Sequence, residues 1–205
     1  MSGDTMNNPF LSSIAAVALM IGASTLSGCS RPAEQAPLQG TRIGGPFTLT
    51  DQDGKRVSDR DFAGQYRLIY FGYTFCPDVC PTDVQHLMQG FKLFEQRAPA
   101  LAARVQPIFI SIDPARDTPP VLRQFVRAFH PRLIGLTGSD AEIAAVAKAF
   151  AIYYRKQDGP AGAGGYLMDH SRQTILFGPT GDPIALIPQD RDSDVIAAEL
   201  QRWVR

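Results

Sequence analysis

Residues 71–83 read Phe-Gly-Tyr-Thr-Phe-Cys-Pro-Asp-Val-Cys-Pro-Thr-Asp, and this stretch follows directly on a strand-like apolar run over 66–71. Cys76 and Cys80 stand at i and i+4, so one turn of helix would bring both thiols to one face. Pro81 suits the first turn of a helix predicted over 82–96. The stretch therefore predicts two thiols at a strand-to-helix junction, able to form a disulfide or to share a metal ion.

Strand-like and helix-like segments alternate along the rest of the chain. Asp53-Gly54 marks the turn of an N-terminal hairpin. Interleaved strands and helices of these lengths predict an α/β domain, in which helices cover both faces of a central mixed sheet. The predicted strands are 47–50, 56–57, 67–71, 105–112, 133–136, 152–155, 174–177 and 184–187, and the predicted helices are 82–96, 119–129, 140–150 and 193–204.

The composition indicates one ordinary globular domain. Of the 205 residues, 44% are hydrophobic, and 20 basic residues balance 20 acidic ones, so neither disorder nor a nucleic-acid partner is expected. We divide the chain into a leader over 1–29, a linker over 30–46 that is rich in Pro and Gly, and one domain over 47–205.

The leader predicts export. Residues 10–26 are apolar or small and carry no charge, and Leu26-Ser27-Gly28-Cys29 resembles a bacterial lipobox, in which Cys29 carries the lipid. No Lys or Arg precedes the apolar run, where Asp4 stands instead. The alternative is an uncleaved anchor, close to the lower length limit for a membrane span. Either reading places the domain on the periplasmic side of a bacterial membrane, tethered to it.

Cys76 and Cys80 are then the only thiols of the exported domain, in a compartment where disulfides persist. A purely structural disulfide is disfavoured, because so short a loop removes little entropy from the unfolded chain. A helix N-terminus stabilises thiolates, which favours a redox-active pair or a metal site. The junction resembles that of the thioredoxin fold, although three residues separate these cysteines where thioredoxin has two.

Three blocks in order resemble the Sco/SenC family, namely residues 72–83, 111–119 and 169–171. The resemblance covers about residues 40–205 and implies a thioredoxin-like, membrane-tethered copper protein that helps to assemble the CuA centre of cytochrome c oxidase. It implies copper ligands at Cys76, Cys80 and His170. Two departures are the lipobox, where many members keep a membrane span, and Phe75, where a histidine is frequent.

The donor chemistry agrees with this implication. Two thiolates and an imidazole suit Cu(I), and they can hold Cu(II) if a further ligand joins, whereas structural zinc prefers four closed ligands. His86 is interpreted as a solvated or packing residue and His130 as a helix C-cap. His170 follows a Gly-rich excursion over 157–169, which we interpret as a mobile loop that brings a ligand to the site.

Five further residues within these blocks are candidates for supporting roles, and two of them, Asp169 and Asp78, have two interpretations each. Asp169 either orients the His170 ring or is a solvated turn residue. Asp78 either modulates thiol reactivity and partner recognition or caps the helix. Thr118 is suited to capping the helix that begins at Pro119, while Arg116 and Asp117 are candidates for a surface facing a partner.

Two classes of function remain. The first is a metallochaperone that passes copper to the oxidase subunit carrying the CuA site, with another copper protein as a candidate donor. The second is a thiol–disulfide oxidoreductase that uses Cys76 and Cys80 to reduce the cysteines of that subunit. Only the first requires His170. A peroxide-reducing enzyme is less favoured, since no pattern in the sequence marks one thiol as the peroxide-attacking nucleophile.

Overall fold

The computed structural model describes Met1, Gly3 and residues 34–159 and 165–205. It divides into two compact units, Met1–Glu34 and Gln35–Arg205. Most of the first unit, including the apolar run and Cys29, lies outside the described residues. Within the described ranges, no helix is both long and apolar enough to cross a membrane.

The described part of the second unit contains nine strands, five α-helices and one 3₁₀ helix at Asp59–Phe62. The strands are β1 (Thr48–Asp51), β2 (Arg56–Ser58), β3 (Tyr66–Gly72), β4 (Val105–Ser111), β5 (Ile134–Thr137), β6 (Tyr154–Asp158), β7 (Tyr166–His170), β8 (Thr174–Phe177) and β9 (Pro183–Ile187). The helices are α1 (Val79–Arg97), α2 (Pro99–Ala102), α3 (Pro119–Phe129), α4 (Asp140–Ala149) and α5 (Ser193–Trp203).

Seven strands form one mixed sheet in the order β2-β1-β5-β4-β3-β8-β9, and β6 pairs with β7 in a separate hairpin. The central pairs β3–β4 and β4–β5 are parallel, and the outer pairs are antiparallel. All seven residues of β3 are buried, as expected of a central strand covered on both faces. The predicted mixed sheet and N-terminal hairpin are confirmed.

Helices cover both faces of this sheet. On one face, Tyr70 bonds to Asp83 of α1, and Phe109 packs on Phe125 of α3. On the other face, Phe71 packs on Phe150, which ends α4. Such alternation along β3 follows from the two-residue period of a strand. Helix α1, which packs on the face that Tyr70 belongs to, begins beside the carboxyl ends of the parallel strands.

Some boundaries differ from the predicted ones. Helix α1 begins at Val79 rather than at residue 82, so Pro81 is its third residue. The strand β7, the 3₁₀ helix and α2 are not predicted from the sequence. The hairpin β6–β7 is missed because β6 is largely polar, the apolar residues of β7 are consecutive rather than alternating, and a Gly-rich run separates the two strands.

Candidate metal and thiol site

The two cysteines lie where β3 gives way to α1. Cys76 is half-buried before the helix, and Cys80 is fully buried in its first turn. The backbone N–H of Cys80 donates to the Cys76 sulfur at 3.4 Å. A Cβ atom on Gly72 would lie only 2.8 Å from Cε1 of Tyr70, so glycine lets the ring pack closely at the end of β3, below the Cys80 sulfur.

The two thiols have opposite electrostatic environments. A hydrogen bond from Cys80 and the backbone amides of Asp78 and Cys80 outweigh burial and lower the pKa of Cys76 to about 5. The pKa of Cys80 is raised, first because its proton bonds to Cys76 and second because of its burial. Near neutral pH, Cys76 is therefore a thiolate at the helix N-terminus, while Cys80 keeps its proton.

His170 completes the cluster from the end of β7. Its Nε2 atom lies 3.2 Å from the sulfur of Cys80, and its Nδ1 atom lies 2.9 Å from the carbonyl oxygen of Ser171. Because a carbonyl oxygen only accepts, this contact assigns a proton to Nδ1, and in the neutral imidazole Nε2 then carries the lone pair and faces the thiol. The Tyr73 ring packs edge-on against the imidazole.

The position of His170 corrects the predicted loop over 157–169. Residues 166–170 form strand β7, in which His170 pairs with Tyr154. The next residue continues the attachment, because the backbone N–H of Ser171 donates to the carbonyl of Tyr153 at 2.9 Å. The histidine is thus carried by a hydrogen-bonded ladder, and the tip of the hairpin at 160–164 lies outside the described residues.

Asp169 and Asp78 take less direct positions than predicted. Asp169 is exposed, and the next residue along a strand points to the opposite face, so the Ser171 carbonyl orients the ring instead. Asp78 is exposed at the N-cap of α1, but its side chain makes no capping hydrogen bond. Asp78 thus occupies the capping position of the helix without a side-chain capping bond, and a role of either carboxylate in recognition stays a prediction.

An ion pair between a buried aspartate and an exposed arginine, beside the cysteines, is missed by the sequence analysis. Asp83 of α1 is 1% exposed, and Arg172 donates to both of its oxygens, at 3.0 and 2.6 Å. The hydroxyl of Tyr70 donates to the same carboxylate at 2.9 Å. The sequence did contain a clue to this pair, because Asp83 ends the block over 72–83 and Arg172 directly follows the block over 169–171. The pair joins the helix bearing Cys80 to the segment bearing His170.

A second network holds the hairpin over the site. Arg116 donates to the Asp113 carboxylate at 2.5 Å and to the carbonyl of Tyr166 at 2.9 Å. Its guanidinium lies 3.6 Å from the centroid of the Tyr166 ring, whose hydroxyl donates to Asp113 at 2.7 Å. Arg116 therefore faces the hairpin β6–β7, and the Asp113–Arg116–Tyr166 set is called the hairpin clamp below.

Asp117 does not face a partner, which corrects the prediction for that residue. It is fully buried and accepts hydrogen bonds from the hydroxyls of Thr74 and Ser111 and from the backbone N–H of Thr74. Burial raises the pKa of the Asp117 carboxyl. Asp117 thereby holds Thr74, in the loop that leads from β3 to Cys76. Thr118 is the N-cap of α3, as predicted, although its side chain makes no capping bond.

The other two histidines lie elsewhere. His86 is on α1, and its Nδ1 is buried without a hydrogen-bond partner. His130 is the C-cap of α3, as predicted, and its Nε2 lies 3.1 Å from a Glu95 oxygen. Neither lines the cleft of about 340 Å³ that contains Cys76 and His170.

The three donors suit a soft metal ion. Among the described residues, no group of three or more His, Cys, Asp or Glu side chains is already spaced to hold a metal ion. Sulfur and imidazole are instead in direct contact, so a metal ion would have to enter between Cys80 and His170. Two sulfurs and one nitrogen, with Nε2 free of its proton, are donors that copper accepts.

The fold and site define a thioredoxin-like dithiol protein with a histidine held against the buried thiol. The family model described as SCO1/SenC matches residues 35–205, and the chain belongs to this family.

Individual relatives support this family assignment. The chain is 39% identical over 164 residues to the human mitochondrial SCO1 homolog, covering 80% of this chain and 53% of that protein. It is 38% identical over 200 residues to SenC of Rhodobacter capsulatus, covering 91% and 86%. The chain thus spans about half the length of the human relative and most of the bacterial one.

Two solved structures match its fold. The structure of Bradyrhizobium japonicum ScoI with copper bound is 40% identical, with a TM-score of 0.70, and the match covers 78% of this chain and 99% of ScoI. The structure of BsSco, described as having a disulfide switch and as a member of the Sco family of cytochrome c oxidase assembly proteins, is 27% identical. Its TM-score is 0.59, with coverage of 78% and 92%.

Proposed function

We propose that this protein is a membrane-tethered copper carrier that delivers copper to the CuA site of cytochrome c oxidase during assembly. The observation that carries the proposal is the convergence of Cys76, Cys80 and Nε2 of His170 beside a cleft that Cys76 and His170 line. Support also comes from the copper bound in the ScoI structure and from the oxidase-assembly description of BsSco.

Copper is the cargo in this proposal, and the three side chains have different parts in holding it. Cys76 offers a thiolate without losing a proton, whereas Cys80 has to release its proton before its sulfur can bind. The carbonyl of Ser171 keeps the ring of His170 in the orientation that exposes Nε2. Because Cys76 is half-buried at the open side, ligands of the recipient subunit can reach the cargo there.

Thiol–disulfide exchange is the second candidate, and the contrast between the two thiols favours it. Cys76 has the low pKa of an attacking thiolate, and Cys80, one helical turn away, is placed to resolve a mixed disulfide. In this reaction the Cys76 thiolate attacks a disulfide sulfur of the oxidase subunit. Cys80 then closes the Cys76–Cys80 disulfide, so two electrons pass to the subunit, which leaves as a dithiol.

The proposed membrane tether is supported by the leader sequence alone. We infer that Cys29 carries lipid and holds the domain on the periplasmic side of the membrane. Labelled fatty acid should be incorporated into the wild-type protein and not into Cys29→Ser, while copper binding stays equal. A wild-type protein without label would favour the uncleaved anchor.

The substitution His170→Ala separates the two candidate functions. Copper binding by the reduced full-length protein should weaken at least about tenfold, and oxidase assembly should fail with it. Exchange with a model disulfide should continue at nearly the wild-type rate, since the attacking thiolate is stabilised by Cys80 and backbone amides.

His86→Ala is the matched control, since it removes a histidine outside the cleft and should leave copper binding and assembly unchanged. Normal oxidase assembly by His170→Ala despite lost copper binding would refute delivery and leave the reductase. Unchanged copper affinity would remove His170 from the ligand set.

A further inference from the structure

A second cavity lies at the opposite end of β3 from the cysteines. Its volume is about 360 Å³, and it is enclosed by the segment before β1, the 3₁₀ helix and the turn between β8 and β9. Arg67, the second residue of β3, lines it. Gly72, beside the cysteines, is five positions further along β3, which corresponds to roughly 17 Å. The cavity therefore belongs to neither the cleft nor its networks.

Arg67 is buried without a partner for its charge. The residue is 7% exposed, and its Nε atom is buried with no hydrogen-bond partner among the described residues. Its guanidinium packs on the Phe177 ring at 5.7 Å from the centroid. A buried N–H without an acceptor is costly, because it has lost its hydrogen bond to water and gained none in exchange. Burial accordingly lowers the pKa of Arg67.

The nearest carboxylates have other partners. Asp59 accepts a hydrogen bond from the backbone N–H of Phe47 at 3.2 Å, and Asp182 accepts one from the hydroxyl of Thr180 at 2.7 Å. Both act on Arg67 from a distance and raise its pKa. Neither forms an ion pair with it in the part of the chain that the structure describes.

The walls of the cavity indicate the shape of a missing partner. Phe150 and Phe177 form an aromatic side, and Pro46 and Pro179 add apolar surface. Arg60 adds a second positive charge from an exposed position, and Asp59 adds one negative charge to the same wall. A guanidinium binds a carboxylate in a planar, two-point arrangement, and apolar walls favour a ligand with an apolar body.

We propose that this cavity is a binding site for a small organic carboxylate, with Arg67 holding the carboxylate and the aromatic walls holding the apolar body. The volume of about 360 Å³ is in the range of small-molecule sites. The site does not depend on the proposed function, because it shares no residue with the cleft.

The test titrates the full-length protein with benzoate while following backbone amide shifts by NMR. Saturable binding at one site is expected, with the largest shifts at Ala63, Thr180 and Gly181. Benzamide, which has the same shape but no charge, should bind at least tenfold more weakly. Inorganic phosphate should also bind more weakly, because it lacks the apolar body.

Substitutions test whether Arg67 binds the carboxylate. Arg67→Met, which keeps the length of the side chain, should weaken benzoate binding at least tenfold and leave copper binding unchanged. Arg60→Gln should weaken it two- to fivefold, and the exposed Arg127→Gln is the control with no effect. If Arg67→Met does not fold, the Arg60→Gln titration and the position of the amide shifts decide.

Three results would overturn the site. They are the absence of saturable benzoate binding, equal binding of benzoate and benzamide, and amide shifts confined to residues away from the cavity.

Discussion

The hairpin clamp makes a quantitative prediction for Arg116→Gln. This substitution removes the ion pair to Asp113, the hydrogen bond to the Tyr166 carbonyl and the contact with the Tyr166 ring. Removing one partner of a buried ion pair costs about 3–5 kcal/mol. The Arg116 side chain is 21% exposed and that of Asp113 is 3% exposed, so water recovers part of the loss and about 2–3 kcal/mol remains.

Part of this free energy keeps the hairpin docked, and the hairpin carries His170. A loss of about 1.4 kcal/mol in docking corresponds to a tenfold change in affinity, because in the proposed function copper binds His170 only in the docked form. We therefore expect Arg116→Gln to bind copper about tenfold more weakly and to melt at a lower temperature. Its dithiol should still reduce a model disulfide at the wild-type rate.

Arg123→Gln provides the matched control. Arg123 also pairs with an aspartate, at 2.9 Å, but its side chain and that of Asp53 are 40% and 50% exposed. Such a pair contributes about 0–1 kcal/mol. The assay is competition for Cu(I) between each reduced full-length variant and a chelator. A copper affinity of Arg116→Gln within twofold of wild type, or an equal loss in Arg123→Gln, would refute the clamp.

Three further predictions follow from burial and charge. Alkylation of metal-free Cys76 should run at its full rate at neutral pH and slow as the pH drops through about 5, because only the thiolate reacts. Mass spectrometry after treatment with iodoacetamide measures this rate. A midpoint near pH 9 would contradict the prediction. Gly90→Ala should destabilise the protein by about 1–3 kcal/mol in urea unfolding, because the added Cβ would lie 2.4 Å from Cγ2 of Ile196. Unchanged stability would show that α1 and α5 separate freely. Asp83→Ala should cost about 1–3 kcal/mol, because it leaves the Tyr70 hydroxyl and Arg172 without their acceptor, and a loss below about 0.5 kcal/mol would contradict this role.

The cleft is assembled from three separate parts of the chain, and two arginine–aspartate pairs, each with a buried aspartate, connect them. Arg172 and Asp83 join the histidine segment to α1, and Arg116 with Asp113 joins the loop after β4 to the hairpin. Each pair stands within or next to a sequence block that resembles the family. These blocks therefore contain the supports of the site as well as its donors.

Local sequence patterns were sufficient for the positions of most elements. Buried strands such as β3 and β4 are continuous apolar runs, and helices α3 and α4 begin at recognisable capping residues and prolines. The hairpin β6–β7 is the exception, because its strands pair with each other outside the main sheet, β6 is largely polar, and Tyr154 and Met168 are only partly buried against the core. A pattern of hydrophobicity carries no information about such a pairing.

The sequence by itself determined the dithiol at a strand-to-helix junction, the mixed α/β sheet and the three candidate donors, because these depend on spacing and on short-range periodicity. Only the tertiary structure decided that His170 contacts Cys80, that the ring is oriented by Ser171, and that Cys76 rather than Cys80 is the thiolate. It also decided that Arg67 is buried without a counter-charge. The physical reason is that protonation and burial depend on the atoms around a group, and residues distant in the chain supply many of those atoms.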